Sequence, residues 1–126
     1  MSQRSILLIE YEANLREILG DCLIELGHWQ VTPSSSIQEG VELCSKSRPD
    51  VILMDSSSPE IDVLIYAEKL KRYAKKQSVP IILISTKANW FTLKELNQMG
   101  FAGAINKPFN PCDLSSQVTR LANVDT

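Results

Sequence analysis

The chain has 126 residues, 44% of them hydrophobic and 22% charged, enough for one domain with a real core and ordinary for a soluble globular protein. Its net charge of −2 gives no global pull toward nucleic acid or an anionic membrane, so neither is expected as a direct partner. No apolar stretch approaches bilayer length, Met1-Ser2-Gln3-Arg4 lacks the apolar core of a secretion signal, and the widely spaced, odd-numbered Cys22, Cys44 and Cys112 argue against disulfides or zinc and for a reducing cytoplasm.

In chain order, Ile6-Leu7-Leu8-Ile9 comes first and ends on Glu10. A short apolar run without polar alternation reads as a strand buried on both faces, the habit of a parallel sheet. Leu15, Ile18, Leu19, Cys22, Leu23 and Leu26 recur at helical spacing and predict an amphipathic helix, with Gly27 as its left-handed stop. His28 to Thr32 predicts a weaker edge strand; Pro33 and Ser34 to Ser36 read as a loop in which a serine caps the next helix. That helix has a narrow apolar side of Ile37, Val41 and Cys44. Val51-Ile52-Leu53-Met54 is a second buried run, ending on Asp55, and Ser56-Ser57-Ser58-Pro59 is a loop. A helix from about Ile61 to Ala74 is expected to bury Leu64, Ala67 and Leu70, with Lys69, Lys71, Arg72, Lys75 and Lys76 as a solvated outer face.

Pro80 opens the third buried run, Ile81-Ile82-Leu83-Ile84, which ends on Ser85. Trp90 and Phe91 follow; they suit either the core or a partner surface. A helix around Leu93 to Met99 stops at Gly100. Ala102 to Ile105 is the last strand, ended by Asn106-Lys107-Pro108-Phe109, and the final helix carries Leu114, Val118 and Leu121. Each cysteine falls on or beside a helix and reads as a small buried hydrophobe. His28 has no second ligand nearby and reads as a surface or strand-end residue.

Five strands alternating with five helices predict an α/β fold, a doubly wound parallel sheet with helices on both faces. In such sheets ligands bind beyond the carboxyl ends of the strands, where the strand order reverses. Glu10, Asp55, Ser85 and Lys107 all arrive there. Two acids suit a hard cation such as magnesium, which takes oxygen ligands and keeps several waters. An aspartate beside it can attack phosphorus and form an acyl phosphate. The Lys107 ammonium and the Ser85 hydroxyl would then meet the charge of the transferred group.

With these residues in order the chain resembles the receiver domain of two-component response regulators, the flavodoxin-like phosphoacceptor modules. The resemblance rests on Ile6 to Glu12, Asp50 to Pro59, Pro80 to Ser85 and Gly100 to Phe109, and it covers essentially the whole chain as one domain, residues 1–126, with no output domain. It implies strand order 2-1-3-4-5. It implies that Asp55 accepts a phosphoryl group from a histidine kinase or histidine phosphotransfer protein, that Ser85 and Lys107 bind that group, and that Lys107-Pro108 is cis. It further implies magnesium held by Glu10, Asp55 and the Ser57 backbone carbonyl, and signalling by contact rather than turnover of an external substrate. The face formed by the fourth helix, fifth strand and fifth helix would meet an output protein, with Met99, Phe101 and the surroundings of Val118 as contact positions. A homodimer is compatible with the resemblance. Ser57 and Lys87, two residues after Asp55 and Ser85, occupy positions that tune hydrolysis in the family.

Three positions depart from the family pattern. Tyr11 stands where the second of two adjacent acids is usual, and a phenol is ordinarily neutral at pH 7 and a poor magnesium ligand. Ala104 stands where an inward-turning aromatic is usual. Val63 stands where glycine is common, and a β-branched residue resists positive φ, so the loop after Asp55 is expected to take its own path. A weakened magnesium site follows, with a pseudo-receiver that signals without phosphorylation as the alternative. Glu12 reads as a solvated charge in the first helical turn rather than a substitute ligand. A flavin or nucleotide site is disfavoured by the acidic Glu10-Tyr11-Glu12, and a phosphatase of the haloacid dehalogenase type by the lack of Asp-x-Asp after the first strand.

Overall fold

The computed structural model describes residues 4–55 and 63–122. Five strands, β1 (Ser5–Ile9), β2 (Gln30–Ser34), β3 (Val51–Asp55), β4 (Ile81–Ser85) and β5 (Gly103–Asn106), alternate with helices α1 (Ala13–Gly27), α2 (Ile37–Ser47), α3 (Val63–Gln77), α4 (Leu93–Gln98) and α5 (Leu114–Ala122). The strands form one parallel sheet in the order β2-β1-β3-β4-β5. The order reverses at β1, so the carboxyl ends of β1 and β3 flank a crevice. Among the described residues no helix is long and apolar enough to cross a membrane.

The apolar runs are buried because both sheet faces are covered. Ile6, Leu8, Val51, Leu53, Ile82 and Ile84 pack with Leu19, Leu23, Leu114 and Val118 on the side of α1 and α5. Leu7, Ile52, Met54, Ile81 and Leu83 pack with Ile37, Cys44, Leu70, Leu96 and Phe101 on the side of α2, α3 and α4. Each fully buried aliphatic contributes about 1.5–3 kcal/mol, so these two layers dominate the stability.

Several elements differ from expectation, each for a local reason. The left-handed residue that ends α1 is His28 (φ 56°), whose N–H donates to the Ile24 carbonyl 3.0 Å away, and not Gly27. Gly27 is needed for space: a Cβ there would lie 2.0 Å from Ser115 Oγ. Strand β2 begins at Gln30 and runs through Pro33 to Ser34, where a loop was expected. The sheet order places β2 at an edge, where a missing N–H is tolerated. Trp29 is fully buried; its indole N–H donates to Ser115 Oγ (2.9 Å), and the Arg4 guanidinium lies 4.2 Å over its ring. Arg4 also donates to Thr119 Oγ1 (3.1 Å) and to the Gly27 carbonyl (3.3 Å).

Helix α3 continues past Ala74 to Gln77, with Lys75 and Lys76 complementing its carbonyl end. Leu70 is buried and Ala67 half-buried; the expected contact at Leu64 and the start at Ile61 lie outside the described residues. Lys69, Arg72, Lys75 and Lys76 are exposed, whereas Lys71 is half-buried, 5.0 Å from the Phe101 ring centroid and 3.7 Å from Glu68. In α1, Leu19 and Leu23 are buried but Ile18 (51%) and Leu26 (55%) are exposed, so its apolar face is broader than the core it meets. Cys44 alone among the cysteines is buried, and burial pushes its thiol up to about 11; Cys22 is half-buried and Cys112 exposed. The serine cap expected before α2 is Ser36, which accepts from the Glu39 N–H at 3.0 Å.

Candidate functional site

The C-terminal edge of the sheet collects Glu10, Asp55 and Ser85, all buried, at the ends of β1, β3 and β4. Lys107 follows β5 directly. Its ammonium forms an ion pair with Asp55 Oδ2, and its N–H donates to the Ser85 carbonyl at 3.0 Å. The register pairs Ser85 with Asn106, and the Asn106 amide donates to the Lys107 carbonyl at 3.2 Å. Lys107–Pro108 is cis. The spatial expectation for these four residues therefore holds.

Glu10 is fixed at both ends. Its N–H donates to the Ser34 carbonyl (3.0 Å), and its Oε2 accepts from the Glu12 N–H (3.0 Å). Gly40 lets α2 approach this corner, since a Cβ there would lie 2.6 Å from Ile9 Cδ1. Burial raises the Glu10 carboxyl to about 7, and the neighbouring Asp55 adds to the rise, while the Glu12 N–H and Lys107 oppose it. Glu10 Oε1 is buried and accepts no hydrogen bond among the described residues. A buried oxygen without a donor, beside a second carboxyl, is what a hard cation with oxygen preference would satisfy. Glu10 and Asp55 together are the kind of carboxylate pair that magnesium takes along with waters.

Tyr11 is 58% exposed and adds no charge to this corner. Glu12 is exposed, as expected of a charge at the start of the helix, and it also has a structural task. It caps α1, accepting from the N–H groups of Asn14 (3.1 Å) and Leu15 (2.7 Å). Glutamate is outside the usual set of N-capping residues, so residue type does not announce this cap. Arg16 was also missed: it donates to the carbonyls of Glu10 (2.9 Å) and Tyr11 (3.3 Å) and so pins the loop that presents Glu10. An arginine one turn into a helix that follows a charged strand end is the only sequence hint of that clamp.

Ser85 Oγ accepts from the Lys87 N–H at 3.0 Å, leaving its own proton free to donate. Beyond Lys87, Trp90 is 70% exposed and Phe91 is half-buried against the core, so the two aromatics have different fates. Ala104 is half-buried in β5 and packs toward the α3–α4 side. On the expected output face Met99 is 38% exposed and Phe101 is a core residue; Val118 itself is buried, while around it Ser116 is exposed and Gln117 and Thr119 are half-buried. An apolar cavity of 420 Å³, lined by Leu15, Thr86, Lys107, Pro108, Phe109 and Pro111, opens beside Lys107. Ser57 and the loop after Asp55 lie outside the described residues; Val63 is the first residue of α3.

The profile of the family described as "Response regulator receiver domain" matches residues 6–119. The chain belongs to that family. Receiver domains are signalling domains of two-component systems, and the flavodoxin-like strand order of this receiver agrees with theirs. Transcriptional regulatory protein PdtaR of Mycobacterium tuberculosis is 30% identical over 111 residues, 88% of this receiver and 53% of PdtaR. The receiver spans about half the length of the curated relatives it matches. Among solved structures, the receiver domain of sensor histidine kinase PA1611 from Pseudomonas aeruginosa PAO1, with magnesium coordinated in its active-site cleft, superposes with a TM-score of 0.77 at 24% identity, covering 98% of this chain and all of that one (100%). The receiver domain of Saccharomyces cerevisiae Ssk1, solved with the phosphotransfer protein Ypd1, gives 0.76 at 18% identity, covering 96% and 90%. At these identities the two structures speak to fold.

Proposed function

We propose that Asp55 accepts a phosphoryl group from a histidine kinase or histidine phosphotransfer protein, and that the receiver signals by protein contact. The ion pair between Lys107 and buried Asp55, beside Glu10, carries this reading. An Asp55 carboxylate oxygen attacks phosphorus and forms a P–O bond. The P–N bond to the donor imidazole breaks, and its electron pair stays on the ring nitrogen. Lys107 shifts its charge to a phosphoryl oxygen, and the Ser85 hydroxyl donates to another. The apolar cavity beside Lys107 is where the donor's ring and its neighbours would settle, excluding water from the reacting atoms.

Glu10 and Asp55 would hold magnesium, with the Ser57 carbonyl, outside the described residues, as the third protein ligand. Bound there, the ion supplies positive charge against the phosphoryl oxygens. Its site is weaker than two adjacent acids would make it, because Tyr11 brings no carboxylate and burial beside Asp55 raises the Glu10 carboxyl to about 7. Output runs through a partner on the α4–β5–α5 face, where Leu93 and Met99 are exposed apolar residues.

Intact mass after incubation with acetyl phosphate, with and without magnesium, tests the reading. The expected result is one added phosphoryl group, lost in Asp55→Asn. An unchanged mass under forcing conditions would favour the pseudo-receiver.

A further inference from the structure

The loop after β4 brings together a cation and an aromatic that the proposed mechanism leaves unused. Lys87 sits where its N–H donates to Ser85 Oγ at 3.0 Å, so its Cα is next to the hydroxyl assigned to the phosphoryl group. Its ammonium lies 5.1 Å from the centroid of the Trp90 ring. Both residues are exposed, and Trp90 is 70% accessible, so the contact packs no core. An exposed cation–π contact is worth about 0.5–1 kcal/mol and is readily exchanged for a stronger one. The lysine stem is long and flexible, and its ammonium is a compact point charge suited to phosphate.

Charge gives the reason for exchange. A phosphoryl group adds about −1.5 to −2 charge at pH 7. In the resting site Lys107 already faces Asp55, so its charge is engaged before the phosphoryl group arrives. Tyr11 contributes nothing to hold a compensating metal. A second protein cation within reach is therefore favoured as soon as the phosphoryl group arrives.

We propose that Lys87 is a second phosphoryl ligand, held on Trp90 in the resting receiver and moved to the phosphoryl oxygens of Asp55 on phosphorylation, which uncovers the Trp90 ring. The inference rests on the phosphoacceptor reading of Asp55. No covalent bond changes in this step; one cation contact is exchanged for another. Trp90 makes the exchange visible, because the other tryptophan, Trp29, is fully buried.

The test uses the whole chain with acetyl phosphate and magnesium, followed in parallel by intact mass and by acrylamide quenching of tryptophan emission. In the wild type the mass gain should come with increased quenching. Lys87→Met should start at the higher quenching and show no further rise on phosphorylation. The magnesium needed for half-maximal phosphorylation should increase about threefold in Lys87→Met, the scale of one partly hydrated ion pair. Trp90→Leu removes the resting place, and its magnesium demand should equal or fall below that of the wild type. Phosphorylation by mass with unchanged quenching in the wild type, or the same rise in Lys87→Met, overturns the inference alone. No mass gain in the wild type at any magnesium concentration overturns the Asp55 reading and the inference with it.

Discussion

Replacing Glu10 with glutamine should stabilise the metal-free receiver at alkaline pH and leave it little changed at acid pH. The Glu10 carboxyl is raised to about 7 in the fold, against 4.5 for an ordinary glutamate. Below pH 4.5 both folded and unfolded chains carry the proton, and the group has no effect. Between 4.5 and 7 the unfolded chain releases it while the fold keeps it, so stability falls as pH rises. Above 7 the fold must bury the charge, and the full penalty is present. At about 1.36 kcal/mol per tenfold change in proton affinity, that penalty approaches about 3 kcal/mol. Glutamine has the same shape and no charge, so it still accepts from the Glu12 N–H and escapes the penalty. Urea unfolding without divalent ions at pH 5.0 and pH 8.0 measures it. With a urea slope of about 1.5 kcal/mol per molar, the variant's midpoint at pH 8.0 should exceed the wild type's by up to about 2 M. Equal midpoints for the two proteins at pH 8.0 would show that Glu10 is hydrated or differently paired and would refute the electrostatic account of this corner.

The same carboxyl makes magnesium binding proton-linked: affinity should rise from pH 6 to pH 8 and protons should be released on binding below pH 7, read by calorimetry in buffers of different ionisation enthalpy. Tyr11→Asp should tighten magnesium by about ten- to a thousandfold, from a charge interaction of roughly 4 kcal/mol at 4 Å and an effective dielectric near 20, partly offset by desolvation. Equal affinity by titration would remove Tyr11 from the account. Gly27→Ala should lower the melting temperature, with a loss of about 2 kcal/mol or more, because a Cβ 2.0 Å from Ser115 Oγ forces α1 and α5 apart. Glu12→Ala should cost about 1 kcal/mol through the lost cap, measured by chemical denaturation.

The three apolar runs and their oxygen-bearing ends were legible because a strand buried on both faces leaves no room for polar alternation. That pattern located Glu10, Asp55 and Ser85 before any coordinates. Boundaries were less legible where tertiary contacts override local preference. His28 takes the left-handed turn because Gly27 is needed against Ser115, a contact between residues 88 positions apart in sequence (27 and 115) that local spacing does not reveal. Pro33 stays in β2 because that strand lies at the sheet edge, where its lack of an N–H is tolerated, and only the sheet order tells this. In the site, residue type announced the ionisable groups but not their supports. Arg16, Glu12 and Asn106 act through backbone atoms, and a residue's grip on a carbonyl or an N–H has no sequence period. The expectation of a surface at Phe101 failed because its side chain packs into the core, a matter of how α4, β5 and α5 pack rather than of their composition.

Arg4, Gly27, Trp29, Ser115 and Thr119 knit the first strand, the end of α1 and the middle of α5 at the rim farthest from the carboxylates. Such a footing makes those three segments travel as one rigid piece. The short six-residue α4 and the loop carrying Lys87 and Trp90 have no part in that anchor. The anchored rim is therefore the part of the molecule least able to yield.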